Sequence, residues 1–121
     1  PDPSLALVAA AQIEAARALL ARRPEAGLPL LSAAAPFRTG GRGGPANYVD
    51  VAPGPVRLRE AAGLYLHPNA LCVVEVTGAG LRAWLERSAA LFARLLAGER
   101  DQPLHDETFP SYNFDAILGL D

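Results

Sequence analysis

The chain has 121 residues, of which 50% are apolar; this suffices for one hydrophobic core and a single domain over residues 1–121, but not for two. Its formal net charge is −2, so it has no broad basic field of the kind that binds the backbone of polymeric DNA or RNA. Charged residues interrupt every apolar stretch before it reaches the about 20 residues of a bilayer span, so we expect no membrane contact. Cys72 is the only cysteine, which excludes an internal disulfide, and its apolar neighbours predict a buried thiol.

The first predicted element is a helix over residues 2–23, where apolar residues recur at helical spacing. Asp2 suits its N-cap, Pro3 fits the first turn, and Pro24 stops it. Residues 28–35, a brief and mostly apolar run, then predict a short buried strand.

Shorter elements alternate along the rest of the chain. Strands are predicted at 48–51, 56–58, 71–76 and 112–118, one helical turn at 60–65, and a second long helix at 79–96. The valine-rich run at 71–76 is expected to be a buried strand, and Trp84 and Phe92 are expected in the core. This alternation predicts an α/β or α+β domain in which a mixed sheet is flanked by two long helices.

A glycine-rich loop at residues 36–45 carries Arg38 and Arg42. Glycines allow the backbone to approach a ligand closely, and arginine donates charge-assisted hydrogen bonds, so the composition of the loop predicts an anionic ligand. The loop lacks the order of a Walker loop or of a dinucleotide-binding turn. The alternative is a flexible surface turn without a ligand.

The turn at residues 64–69 holds aromatic rings next to Pro68, which fixes the backbone. A flat side chain such as His67 can stack on a base, and Asn69 can bond a heteroatom of a ligand. The structural alternative makes Tyr65 a core residue, His67 an ordinary loop residue and Asn69 a turn former. A third aromatic group at 109–115 indicates packing, and Asp115 within it has no carboxylate or histidine partner nearby in sequence.

Several of these segments, taken in order, resemble one family. They are LPLLSAAAPFRTGGRGG at 28–44, LYLHPNAL at 64–71, VTG at 76–78, WLERSA at 84–89 and FPSYNFD at 109–115. Together they resemble the carboxy-terminal domain of bacterial 2′,3′-cyclic-nucleotide 2′-phosphodiesterase/3′-nucleotidases, within the wider 5′-nucleotidase group. The resemblance implies a truncated form of that domain's fold, and a role in binding the nucleoside part of a nucleotide substrate.

The resemblance also assigns roles to individual residues. Arg38 is at the family position whose basic side chain faces the substrate, and Arg42 is a second candidate. His67 stands where an aromatic plate against the base is usual, with Asn69 beside it. Histidine replaces the usual tyrosine or phenylalanine, and the second plate is expected downstream of this chain, so half of the base sandwich is expected to be missing.

The intact enzyme implied by the resemblance is a periplasmic or cell-envelope hydrolase with two divalent metal ions in an amino-terminal metallophosphoesterase domain. The signatures of that domain are absent from the 121 residues, so we expect no metal or other cofactor here and no activity of the chain by itself. The implied partners are a nucleotide or nucleoside and the chain's own amino-terminal domain. Self-association through edges exposed by truncation is also expected. Two alternatives are a non-catalytic module that binds anions or nucleotides, and a structural module.

Overall fold

A computed structural model describes residues 2–36, 38 and 44–119, so Arg42 and most of the glycine-rich loop lie outside the described residues. The elements are helix α1 at Pro3–Leu20, strand β1 at Ser32–Ala34, helix α2 at Leu58–Leu64, helix α3 at Gly78–Ala89 and strand β2 at Ala116–Leu118. Short 3₁₀ turns occupy Pro24–Gly27 and Ser111–Asn113. The prediction of a domain that mixes helices with a sheet is confirmed.

Helix α1 begins as its sequence predicts. Asp2 is the N-cap, its carboxylate accepts hydrogen bonds from the backbone N–H of Ser4 at 2.8 Å and from the Ser4 hydroxyl, and Pro3 occupies the first position. The helix ends at Leu20, and Pro24 opens the following 3₁₀ turn instead of extending the helix.

Removal of the Asp2 cap gives a test of this local stabilisation. The two Ser4 donors favour the charged carboxylate and hold the pKa of Asp2 below its ordinary value. A lowered pKa in the folded state stabilises above the unfolded pKa, and this stabilisation is lost as pH falls through the folded value. We expect Asp2→Ala to cost about 1 kcal/mol at neutral pH. Asp2→Asn is expected to keep the cap, but the contribution of residue 2 to the free energy of unfolding should no longer fall below about pH 4. Urea unfolding at neutral and acid pH checks both; equal acid dependence of wild type and Asp2→Asn would contradict the assignment.

The sheet within the described residues consists of β1 and β2 paired antiparallel, with Ala33 opposite Ile117. The predicted mixed sheet is therefore wrong for this part of the chain, where two three-residue strands pair. Helix α1 packs on β1, and the Ser32 hydroxyl donates to Oε1 of Gln12 at 2.5 Å. Beyond β2, Gly119 has φ +97°, and a Cβ there would lie 2.9 Å from the Leu30 carbonyl oxygen, so the backbone needs glycine.

Helix α3 is shorter than predicted. Thr77 caps it by accepting from the N–H of Gly80 at 3.1 Å, but it ends at Ala89 because residues 91–93 pair instead with 104–106. Phe92 therefore lies beyond the helix and is 61% exposed, so its prediction as a core residue is wrong. Its ring lies edge to face with that of Phe114, at 5.5 Å between ring centroids.

The run at residues 71–76 is not a strand in the structure. Its valines are exposed, Val74 by 66%, and Cys72 is exposed as well, so the predictions of a buried strand and a buried thiol are wrong. High β propensity creates a strand only where a neighbouring strand accepts the hydrogen bonds, and the described residues place none beside this run. The predicted strands at 48–51 and 56–58 are likewise not formed. Self-association through such apolar surface stays a prediction.

Helix α1 is long and apolar enough to cross a membrane, judged by length and composition alone. The helix has 18 residues and includes Glu14 and Arg17, and the expectation of no membrane contact stays a prediction. One such helix near the amino terminus is weak evidence for a membrane span, since core helices and signal sequences share these properties. In this fold Ala9 and Ala16 of α1 are buried.

Candidate functional site

Arg38 is half-buried shortly after β1, where its carbonyl oxygen accepts a hydrogen bond from the N–H of Val49 at 3.3 Å. Its side chain reaches α2, and a Cβ added at Gly63 would lie 3.4 Å from Nη1 of Arg38. Because glycine has no side chain, the guanidinium can lie close to the last turn of the helix at Gly63.

Helix α2 is held in position at its other end by a local ion pair. The Glu60 carboxylate accepts from the backbone N–H of Arg57 at 2.7 Å and pairs with Nε of Arg59 at 2.5 Å. The Arg59 side chain, chiefly, holds the pKa of Glu60 below its ordinary value. The Arg59–Glu60 pair contributes little stability because Arg59 is exposed, whereas the bond from the Arg57 N–H to Glu60 caps the start of the helix.

A cleft adjoins the Arg38 side chain. It is lined by residues of α1, of the segment after β1 and of the end of α2, namely Ser4, Leu5, Val8, Ala35, Pro36, Arg38, Val49, Leu64 and Tyr65. The interior measures about 10 Å³, which is the space of about one water. This interior is too small to hold a nucleobase.

Tyr65 connects the cleft to the second predicted site. Tyr65 lines the cleft, and its hydroxyl accepts a hydrogen bond from Nδ2 of Asn69 at 3.0 Å. The turn itself is closed by the N–H of Asn69, which donates to the carbonyl of His67 at 2.8 Å, and both of these residues are exposed. The structure thus joins Arg38 to the turn through Tyr65, while His67 and Asn69 are not part of the cleft wall.

Tyr65 is the functional candidate that sequence reasoning missed. It was predicted as a core residue, but it is half-buried and its hydroxyl bonds Asn69 four residues later. The spacing of a phenol and an amide across Pro68 was the available signal, because a proline-fixed turn brings such neighbours together. The roles predicted for Arg38, His67 and Asn69 stay predictions, and Arg42 lies outside the described residues.

The third aromatic group, at residues 109–115, makes contacts that hold this segment against α3. Nε1 of Trp84 donates to the Asp115 carboxylate at 2.8 Å, and the Arg87 guanidinium lies 5.4 Å from the centre of the Phe109 ring. Asp115 therefore has a partner that its sequence neighbourhood does not reveal. Among residues 2–36, 38 and 44–119, no three histidine, cysteine, aspartate or glutamate side chains converge on a possible metal position.

Comparison with known proteins decides the family. The family model described as "5'-nucleotidase, C-terminal domain" matches residues 2–117, which include both the Arg38 cleft and the turn with Asn69. The chain belongs to the 5′-nucleotidase C-terminal domain family. This confirms the family resemblance that the sequence motifs indicate.

Relatives of this 5′-nucleotidase C-terminal domain are named as phosphoesterases of nucleotides. A 2',3'-cyclic-nucleotide 2'-phosphodiesterase/3'-nucleotidase of Haemophilus influenzae is 49% identical over 98 residues, 78% of this chain and 15% of that protein. One of the same name from Yersinia enterocolitica is 43% identical over 98% of this chain and 19% of its own length. The trifunctional nucleotide phosphoesterase protein YfkN of Bacillus subtilis is 39% identical over 98% of this chain and 8% of its own.

The chain thus spans less than a fifth of the length of these relatives. No solved structure matches it.

Proposed function

We propose that this 5′-nucleotidase C-terminal domain binds the nucleoside part of the substrate in a larger hydrolase of 2′,3′-cyclic nucleotides and 3′-nucleotides. The observation that supports this most is the match over residues 2–117 to relatives named for that activity. The geometry agrees with it, since a guanidinium at the cleft and a polar, flat-sided turn are joined by Tyr65.

Each proposed group has a physical task. The planar Arg38 fork donates charge-assisted hydrogen bonds to an anionic or polar group of the substrate. The exposed His67 ring stacks on the base, at about 1 to 3 kcal/mol per base for such contacts, and Asn69 bonds the edge of the base. Arg42 is the proposed second cation. Because the cleft admits only about 10 Å³, the nucleoside lies over its mouth, between Arg38 and the turn.

The hydrolysis itself belongs to a separate metallophosphoesterase domain in this proposal, in a periplasmic enzyme. Two divalent metals bound there would activate water and polarise the phosphate oxygens. The described residues bring no three metal ligands together, so we assign no metal ligand to this chain and expect no hydrolysis by the chain alone. Its contribution is orientation: a nucleoside held far from the scissile bond lets binding energy position the phosphate.

An NMR titration of the 121-residue chain tests the proposal. Adenosine 3′-monophosphate is expected to shift the backbone amides of Gly63, Tyr65 and Asn69, and adenosine alone to shift mainly residues 67–69. His67→Ala is expected to abolish the adenosine shifts, whereas Arg94→Ala, an exposed arginine outside the site, is expected to leave all shifts intact.

The same titration separates the alternatives. Binding that inorganic phosphate reproduces, and that survives His67→Ala, would support a non-catalytic anion-binding module. If neither nucleotide nor phosphate shifts any of these amides at millimolar concentration, the structural alternative, in which the Tyr65–Asn69 bond only closes a turn, replaces the proposal.

A further inference from the structure

We propose that Tyr65 is a positioning residue that fixes the orientation of the Asn69 amide toward the base, a step that rests on the proposed function. Tyr65 lines the Arg38 cleft, and its phenol oxygen accepts from Nδ2 of Asn69 at 3.0 Å. Tyr65 therefore belongs to the cleft lining together with Arg38 and is bonded to Asn69 of the turn. It also sits at the end of α2, where the helix changes to extended backbone, so its position is set by the helix that places Gly63 against Arg38.

The Tyr65 bond decides what Asn69 offers to a ligand. An asparagine side chain ends in a donor and an acceptor on opposite edges of one plane, and an unrestrained amide can present either. The phenol oxygen engages the Nδ2 edge, and within the part of the chain that the structure describes, Oδ1 of Asn69 has no hydrogen-bond partner. Asn69 is exposed, so this acceptor faces solvent where a base would lie.

A fixed acceptor favours a ligand that donates. The chemical class is a nucleobase with an exocyclic amine at the contacted edge, whereas unsubstituted purine has neither that amine nor a ring N–H on its six-membered ring and offers no proton to Oδ1. Tyr65 does not touch the base in this arrangement; it acts through Asn69. Its loss is expected to weaken substrate binding and base discrimination without slowing the chemical step.

The test uses Tyr65→Phe, which keeps the ring in the cleft wall and removes only the hydroxyl. In the full-length hydrolase, KM for adenosine 3′-monophosphate is expected to rise about 3- to 10-fold, the effect of one lost hydrogen bond, with kcat within about twofold. The preference for adenosine over purine riboside 3′-monophosphate, which lacks the exocyclic amine, is expected to fall toward one. Tyr112→Phe, which removes the hydroxyl of an exposed tyrosine outside the cleft, is the matched control.

A double-mutant cycle completes the design. Once Asn69→Ala is present, Tyr65→Phe is expected to have no further effect on KM, because the proposed route through Asn69 has been removed. Independent, additive losses would overturn the proposal, as would unchanged KM and base preference in Tyr65→Phe while Arg38→Ala still raises KM. If Arg38→Ala also leaves KM unchanged, the proposed function itself has failed. The Asn69 side-chain amide resonances of the 121-residue chain give a second measurement: they are expected to shift in Tyr65→Phe, and identical resonances would also overturn the proposal.

Discussion

Replacement of Ser88 with alanine is expected to lower the free energy of unfolding by about 2 to 4 kcal/mol. Ser88 is 3% exposed in α3, and its hydroxyl donates to the Asp115 carbonyl at 2.9 Å while it accepts from the Asp115 N–H at 2.7 Å. Alanine would leave both backbone groups without a partner at the point where the chain enters β2. Each unsatisfied buried group costs about 1 to 3 kcal/mol.

Urea unfolding followed by the fluorescence of Trp84 measures this effect, since that side chain bonds the same aspartate. Glu86→Ala is the control, because it changes an exposed residue two positions away on the same helix. A Ser88→Ala variant as stable as Glu86→Ala would show that α3 does not depend on this contact. Trp84→Phe, which removes one hydrogen bond to a charged group, is expected to cost about 1.5 to 3 kcal/mol. Because Trp84 is the only tryptophan, unfolding of this variant is followed by far-UV circular dichroism.

The parts of the fold that follow from neighbouring residues could be predicted from sequence. The Asp2 cap with Pro3 in the first turn, the stop at Pro24 and the break before α3 are set by side chains that bond their own backbone or by fixed dihedral angles. Such determinants lie within three or four residues of the feature that they control, and the sequence displays them directly.

Contacts between distant residues could not be predicted in this way. Ser88 and Asp115 lie 27 positions apart, and α3 ends early because 91–93 pairs with 104–106, a competition invisible in the apolar stripe. The run at 71–76 has the composition of a strand, but composition does not supply a neighbouring strand.

The candidate site shows the same division. The loop with Arg38 and the proline-fixed turn were identified from local composition, and the motifs indicated the family. The link between them, the Tyr65 hydroxyl on Asn69, depends on how α2 sits against the segment after β1. The narrowness of the cleft could not be predicted from the sequence either, because the cleft lies between α1, α2 and the segment after β1, which are distant in the chain.

In the full-length hydrolase, Arg38→Ala is expected to raise KM for 3′-nucleotides about 10- to 100-fold, with kcat changed far less. The guanidinium is proposed to bind the substrate at a position distant from the scissile bond. Its loss therefore removes an interaction that stabilises the bound substrate and the transition state equally. Arg38→Lys is expected to recover part of this, since lysine keeps the charge but lacks the planar fork. Steady-state kinetics with adenosine 3′-monophosphate gives both constants.

Gly63→Val approaches the same interaction from the opposite side. A Cβ at residue 63 would lie 3.4 Å from Nη1 of Arg38, so the larger valine side chain would displace the guanidinium. The variant therefore moves the Arg38 side chain without removing it. We expect a KM increase in the direction of Arg38→Ala, and wild-type kinetics in the exposed control Arg94→Ala. If both Arg38→Ala and Gly63→Val kept wild-type KM and kcat, the guanidinium would serve only to close the strand-to-helix corner, and the nucleoside would have to be held elsewhere.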